Sequence, residues 1–140
     1  MNAPNHLQHK PILVVNDYDL FDNNSDAKAL SIGLAQWEND TDEISAKIFR
    51  NNGSRWSAQS EEMPLNRVLD LAILILASLS RDNNSNVSVS DLNETINESQ
   101  RGNLKHILEY YQRNSENINS RIEELERLIE LFRSSENTNL

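Results

Sequence analysis

Positive charge gathers in one short stretch of an otherwise acidic chain. Lys47, Arg50 and Arg55 lie between Ile44 and Ser60, a window without any Asp or Glu, and Arg67 follows soon after. Trp56 stands among them, close to Ser57, Gln59 and Ser60. Guanidinium groups offer forked donors to phosphate, an indole offers a stacking face, and hydroxyl and amide side chains read polar edges. The free backbone N–H groups at the start of a following helix would complete a site that welcomes an anion. Lys47, Arg50, Arg55 and Arg67 are therefore the expected phosphate contacts of a small anionic ligand. Trp56 would stack on it, and Ser57, Gln59 and Ser60 would supply polar contacts; a nucleotide is the best chemical match. The competing reading is plain packing, with Trp56 in the core and Arg55 or Arg67 paired to Glu61, Glu62 or Asp70.

Other chemistries have less to stand on. The chain has no Cys, which excludes disulfides, thiolate metal sites and Cys nucleophiles. His6 and His9 have a possible ligand spacing, but they fall in an N-terminal segment expected to be mobile and solvated, and His106 is far away in sequence; no metal and no cofactor is expected. "DYDLFD" (Asp17 to Asp22) opens like a calcium loop, yet Phe21 takes the third ligand position and no Gly follows. There is no G-x-S-x-G and no Gly-rich phosphate loop. Glu61 and Glu62 are adjacent, and neighbours on a helix point apart. The expectation is a binding protein, not an enzyme, and no catalytic residue is assigned.

The formal charge of -9 argues against DNA, RNA or anionic membranes as partners. "VLDLAILILASL" (Val68 to Leu79) is the most apolar segment, but it is bounded by Arg67 and Arg81, carries Asp70, and falls short of the about 20 apolar residues a spanning helix needs. The N-terminus lacks the apolar core of a signal peptide, so the expected location is cytoplasmic, the host's cytoplasm for a phage protein.

The elements that would position the charged stretch follow from patterning. "PILVV" (Pro11 to Val15) reads as a strand. Ala29 to Trp37 alternates, with Leu30, Ile32 and Leu34 on one face and Ala29, Ser31, Gly33 and Ala35 on the other; such a face lets something lie close against it. Beyond an acidic turn at Glu38 to Glu43, "EISAKIFR" (Glu43 to Arg50) is the returning strand, and "RWSAQ" is a further short strand. Pro64 suits the first turn of a helix, with Ser60, Glu61 and Glu62 as cap and first-turn charge, and the helix should run to about Ser80. Being apolar on nearly all sides, it is expected to be buried.

"RDNNSNVSVSDLNETINESQ" reads as a polar linker in which "NVSVS" could form an edge strand. Leu104, Leu108, Tyr111, Ile118, Ile122, Leu125, Ile129 and Phe132 then recur at steps of three and four, with Ser115 in the vacant slot and Ile107 and Leu128 widening the seam. That is a heptad pattern, for one long helix or two with a break near Ser115. The expected class is α+β: a small antiparallel sheet packed on a buried central helix, followed by a C-terminal heptad helix or helix pair. The expected divisions are a core over 1–80, a linker or edge strand over 81–100, and an oligomerisation region over 101–140. A homo-oligomer through Leu104 to Phe132 is expected.

The strings "DAKALSIGLAQW" (Asp26 to Trp37) and "EISAKIFRNNGSRWSAQSEEMPLNRVLDLAILI" (Glu43 to Ile75), with the lead-in "HLQHKPILV", resemble a small bacterial and phage family known only as a domain of unknown function. The resemblance covers roughly residues 6 to 80, and "RWSAQSEEMPL" is its most specific part. The family usually shows Trp where Phe49 stands and His where Asn66 stands, so those two positions depart from its pattern. A looser resemblance is to compact oligomeric phage proteins that act as sponges for nucleotide signals of bacterial antiviral immunity; it implies binding and sequestration without turnover. The rival readings are an interaction or assembly protein acting through the C-terminal helix, and a nucleotide phosphodiesterase.

Overall fold

A computed structural model of the chain describes residues 1–6, 8–21, 25–37, 43–57 and 61–138. Four strands, β1 (Lys10–Val15), β2 (Ala27–Leu34), β3 (Ile44–Arg50) and β4 (Glu62–Pro64), form one antiparallel sheet in the order β1-β2-β3-β4. Three α-helices follow: α1 (Leu65–Ser80), α2 (Lys105–Arg113) and α3 (Ser115–Thr138). The chain is α+β, as its patterning implies, and it divides into two compact units, Met1–Ala72 and Ile73–Leu140, with the division inside α1. Among the described residues no helix is long and apolar enough to cross a membrane.

The first unit is the sheet. β2 pairs with β3 from Ala27↔Arg50 to Leu34↔Ile44, so the hairpin read from the alternation is present. Its period-two pattern separates the side chains onto two faces. Ala27, Ala29, Ser31 and Gly33 of β2 and Ser45, Lys47 and Phe49 of β3 are buried, while their alternates Leu30, Ile32, Ile44 and Ile48 are only half-buried. The sheet thus buries its small and polar face.

Gly33 explains how. A Cβ placed there would lie 2.1 Å from the Lys10 carbonyl oxygen and 2.9 Å from the Pro11 Cα. Only a residue without a side chain lets the start of β1 cross so closely, at the point where β1 bulges between Pro11 and Leu13. The segment before it then settles onto the sheet. Pro4 and His9 are buried there, and the segment is tied down by Ala3 N donating to Asn16 Oδ1 at 2.7 Å and Asp17 N donating to the Met1 carbonyl at 3.0 Å.

Several expectations are corrected. The helix read as a buried centre has one buried residue, Ala77, while Leu69 is 63 % and Ile75 56 % exposed. Pro64 ends β4 instead of opening α1, which begins at Leu65; its fixed φ and missing N–H are tolerated at the end of an edge strand. Of "RWSAQ", Trp56 bridges to Asn51 while Ala58 and Gln59 lie outside the described residues, and the next described strand is β4. Residues 86–90, "NVSVS", form no strand. The proposed cap Ser60 and most of the acidic turn, 38–42, lie outside the described residues.

In the second unit the heptad region is two helices broken at Asn114, one residue before the slot held by Ser115. The Asn114 N–H donates to the Tyr110 and Tyr111 carbonyls at the end of α2, and its own carbonyl accepts the first α3 bond from the Ile118 N–H at 3.0 Å. Tyr111 Oη donates to Asn119 Oδ1 at 2.8 Å across the break.

Candidate functional site on the small-residue face of the sheet

The buried face carries a hydrogen-bonded cluster that the sequence did not advertise. His9, read as solvated, is fully buried, because the Gly33 crossing carries it down between β2 and β3. Its Nε2 lies 2.5 Å from Ser31 Oγ and its Nδ1 2.7 Å from Glu62 Oε1. Ser45 Oγ donates to the same Glu62 oxygen at 2.7 Å and stands 3.0 Å from His9 Nδ1. The Gln36 N–H reaches it at 3.3 Å.

These partners define the protonation pattern. Burial pushes the His9 pKa below its ordinary 6.5, against the opposing pull of its hydrogen bond to Glu62, so the ring is neutral at pH 7. A neutral ring with Nδ1–H donating to the carboxylate leaves Nε2 to accept from the Ser31 hydroxyl. The contact is therefore a hydrogen bond from a neutral imidazole to a carboxylate. The order hydroxyl, imidazole, carboxylate is that of a proton relay. Ser31 is itself 5 % exposed, and its hydroxyl is engaged with the His9 ring. Glu62 Oε2 is buried with no partner among the described residues.

Beside this cluster lie two of the residues read from the charge pattern. Lys47 stands between Ser31 on β2 and Glu62 on β4 in one cross-strand row. It is 5 % exposed, its Nζ sits 5.3 Å from the centre of the Phe49 ring, and among the described residues it has no ion pair. The half-buried Trp56 meets Phe49 edge to face at 5.9 Å, and Phe49 meets His9 in the same manner at 5.7 Å. One face thus brings together a buried amine, an indole and a carboxylate with a spare oxygen.

The other expected residues are dispersed. Arg50 projects from the opposite face of β3, where Nε lies 3.1 and 3.0 Å from the two Glu61 carboxylate oxygens and Nη1 2.9 Å from Asp26 Oδ1. The hydrogen bond from Arg50 holds the Glu61 carboxyl below its ordinary range. Glu61 and Glu62 do point apart, by strand alternation and not on a helix. Arg55 is exposed in the turn after β3, and Arg67 is exposed on α1. The Ser57 N–H donates to the Arg50 carbonyl at 2.7 Å. Gln59 and Ser60 lie outside the described residues. Among those described, no group of three His, Asp or Glu could hold a metal ion.

A family model matches residues 1–85, which is more than half of the chain and includes every member of the cluster. The chain belongs to the family of unknown function DUF6530. No curated protein and no solved structure matches it. The DUF6530 region ends shortly after α1, so α2 and α3 lie beyond it.

Proposed function

We propose that the small-residue face of the sheet binds and sequesters a small anionic ligand with an aromatic part, a nucleotide in the chemistry it fits best. The observation that carries this reading is Lys47. A buried amine with no ion pair among the described residues is costly to keep, and one placed beside an indole and a carboxylate offers the groups a ligand site needs. Its ammonium would take the anionic group, the Trp56 indole the ring, and Glu62 Oε2 a ligand N–H or hydroxyl. Arg50 is committed to Glu61 and Asp26 and takes no part.

Calorimetry on the full chain with cyclic di- and trinucleotides and ADP-ribose derivatives tests this, since nucleotide signals of antiviral immunity are the ligands a sponge would take. Lys47→Met should weaken binding roughly ten- to hundredfold, the worth of one charge-assisted hydrogen bond. The same change should leave stability level or raise it, because an unpaired buried charge is removed. Silence across the panel, or unchanged affinity in Lys47→Met, sinks the proposal.

A second reading, assembly through the C-terminal helix, is favoured by the exposed apolar seam of α3, where Leu125 is 46 % and Ile129 and Phe132 are each 57 % exposed. Sedimentation showing a monomer at micromolar concentration would remove it.

A further inference from the structure

The second unit contains an open cavity of about 340 Å³ lined by side chains from the end of α1, the loop after it and the start of α2. This is within the size range of small-molecule pockets. Leu74, Ile96, Leu104 and Ile107 give it apolar walls, and Arg81 and Glu94 stand in it as the charged pair.

That pair is unevenly satisfied. Glu94 accepts from Val89 N at 2.8 Å, from Ser90 N at 3.0 Å and from Ser90 Oγ at 2.7 Å, and these bonds draw its pKa down to about 2. The carboxylate is therefore held by the loop before Arg81 is counted. Arg81 reaches it only at 3.4 Å, through Nη1 to Oε2, and spends Nη2 on the Ser85 carbonyl at 3.0 Å. Its Nε has no partner among the described residues, although the side chain is 4 % exposed. A buried guanidinium with an unused N–H and one long contact retains a fork for another acceptor.

The structure assigns this cavity as a ligand site for a small apolar carboxylate, with the carboxylate on the Arg81 guanidinium and the hydrocarbon or aromatic body against Leu74, Ile96, Leu104 and Ile107. Arg81 and Glu94 together carry no net charge, but Glu94 is held by loop donors and reaches Arg81 only at 3.4 Å, so the guanidinium keeps donor capacity for at most one singly charged acceptor. A phosphate dianion would ask for more positive charge than the cavity holds. This site is independent of Lys47 and of the reading built on it.

Calorimetry or ligand-observed NMR with 3-phenylpropionate and its uncharged analogue 3-phenylpropanol, on the full chain, tests the assignment. The acid should bind saturably and at least about tenfold tighter than the alcohol. Leu104→Trp, which fills the cavity with an indole, should abolish binding, Arg81→Met should reduce the acid to the level of the alcohol, and Lys47→Met should change nothing. Absence of saturable binding, equal affinity for acid and alcohol, or binding that survives Leu104→Trp would each overturn it. So would binding lost in Lys47→Met, since it would then belong to the sheet.

Discussion

The two faces of the one sheet meet opposite fates. The face of Ala27, Ala29, Ser31, Gly33, Ser45 and Phe49 is buried, with the half-buried Trp56 at its margin, while the face of Leu13, Val15, Leu30, Ile32, Ile48 and Met63 borders a cavity of about 410 Å³, with Leu13 71 % exposed. By transfer energy alone the second should be the interior. It is not, because burial needs a partner close enough to exclude water as well as an apolar surface. Small side chains let the N-terminal segment settle onto the first face, and the hydrogen bonds of His9, Ser31, Ser45 and Glu62 meet the desolvation cost that polar groups bring. The larger aliphatic side chains across the sheet have no such strand laid over them. The adjacent pair Glu61 and Glu62 repeats the contrast in miniature: the first carboxylate is 39 % exposed against Arg50, the second 2 % exposed against a neutral imidazole.

The comparison can be broken most severely at Gly33. Gly33→Ala forces a methyl group into the Lys10 backbone, and the change should cost roughly 3 kcal/mol or more, since a backbone contact has no rotamer to yield. Urea denaturation measures it; a loss below about 1 kcal/mol would mean that the N-terminal segment is not seated on this face. A smaller effect sharpens the point through pH. With the His9 pKa lowered by burial, the unfolded chain takes up a proton near pH 6.5 that the folded chain refuses. Stability contributed by His9 is present above that pH and is lost as pH falls below it. Denaturation midpoints between pH 8 and pH 5 should show this slope, and His9→Gln should lack it. The least effect belongs to the open face, where Leu13→Ser should change the stability of an isolated chain by no more than about 0.5 kcal/mol. A larger loss that grows with protein concentration would reveal that a second copy covers this face.

Much of the fold was legible locally. The alternation from Ala29 to Leu34 marked β2, the returning pattern marked β3, and the slot at Ser115 marked the helix break within one residue. Each rests on a period imposed by backbone geometry, which side chains within a few residues report. The candidate site was legible only in part. Lys47 and Trp56 each contact Phe49, while Arg50 faces the other way, because residues three apart on a strand lie on opposite faces. His9, Ser31, Ser45 and Glu62 could not be read together, since they are separated by up to 53 residues along the chain and no local period relates them. The small side chains of β2 were the available signal: they announced a close approach without saying by what.

The sequence by itself determined the α+β class, the hairpin, the helix break and the presence of an apolar segment from Val68 to Leu79, all of which follow from local period and composition. Only the tertiary structure decided which face of the sheet is interior, and that a histidine from the N-terminal segment is hydrogen-bonded to a glutamate on the last strand. Those outcomes depend on which distant segments come within van der Waals and hydrogen-bonding distance of each other, a matter set by chain crossing at Gly33 and not by the hydropathy of any stretch.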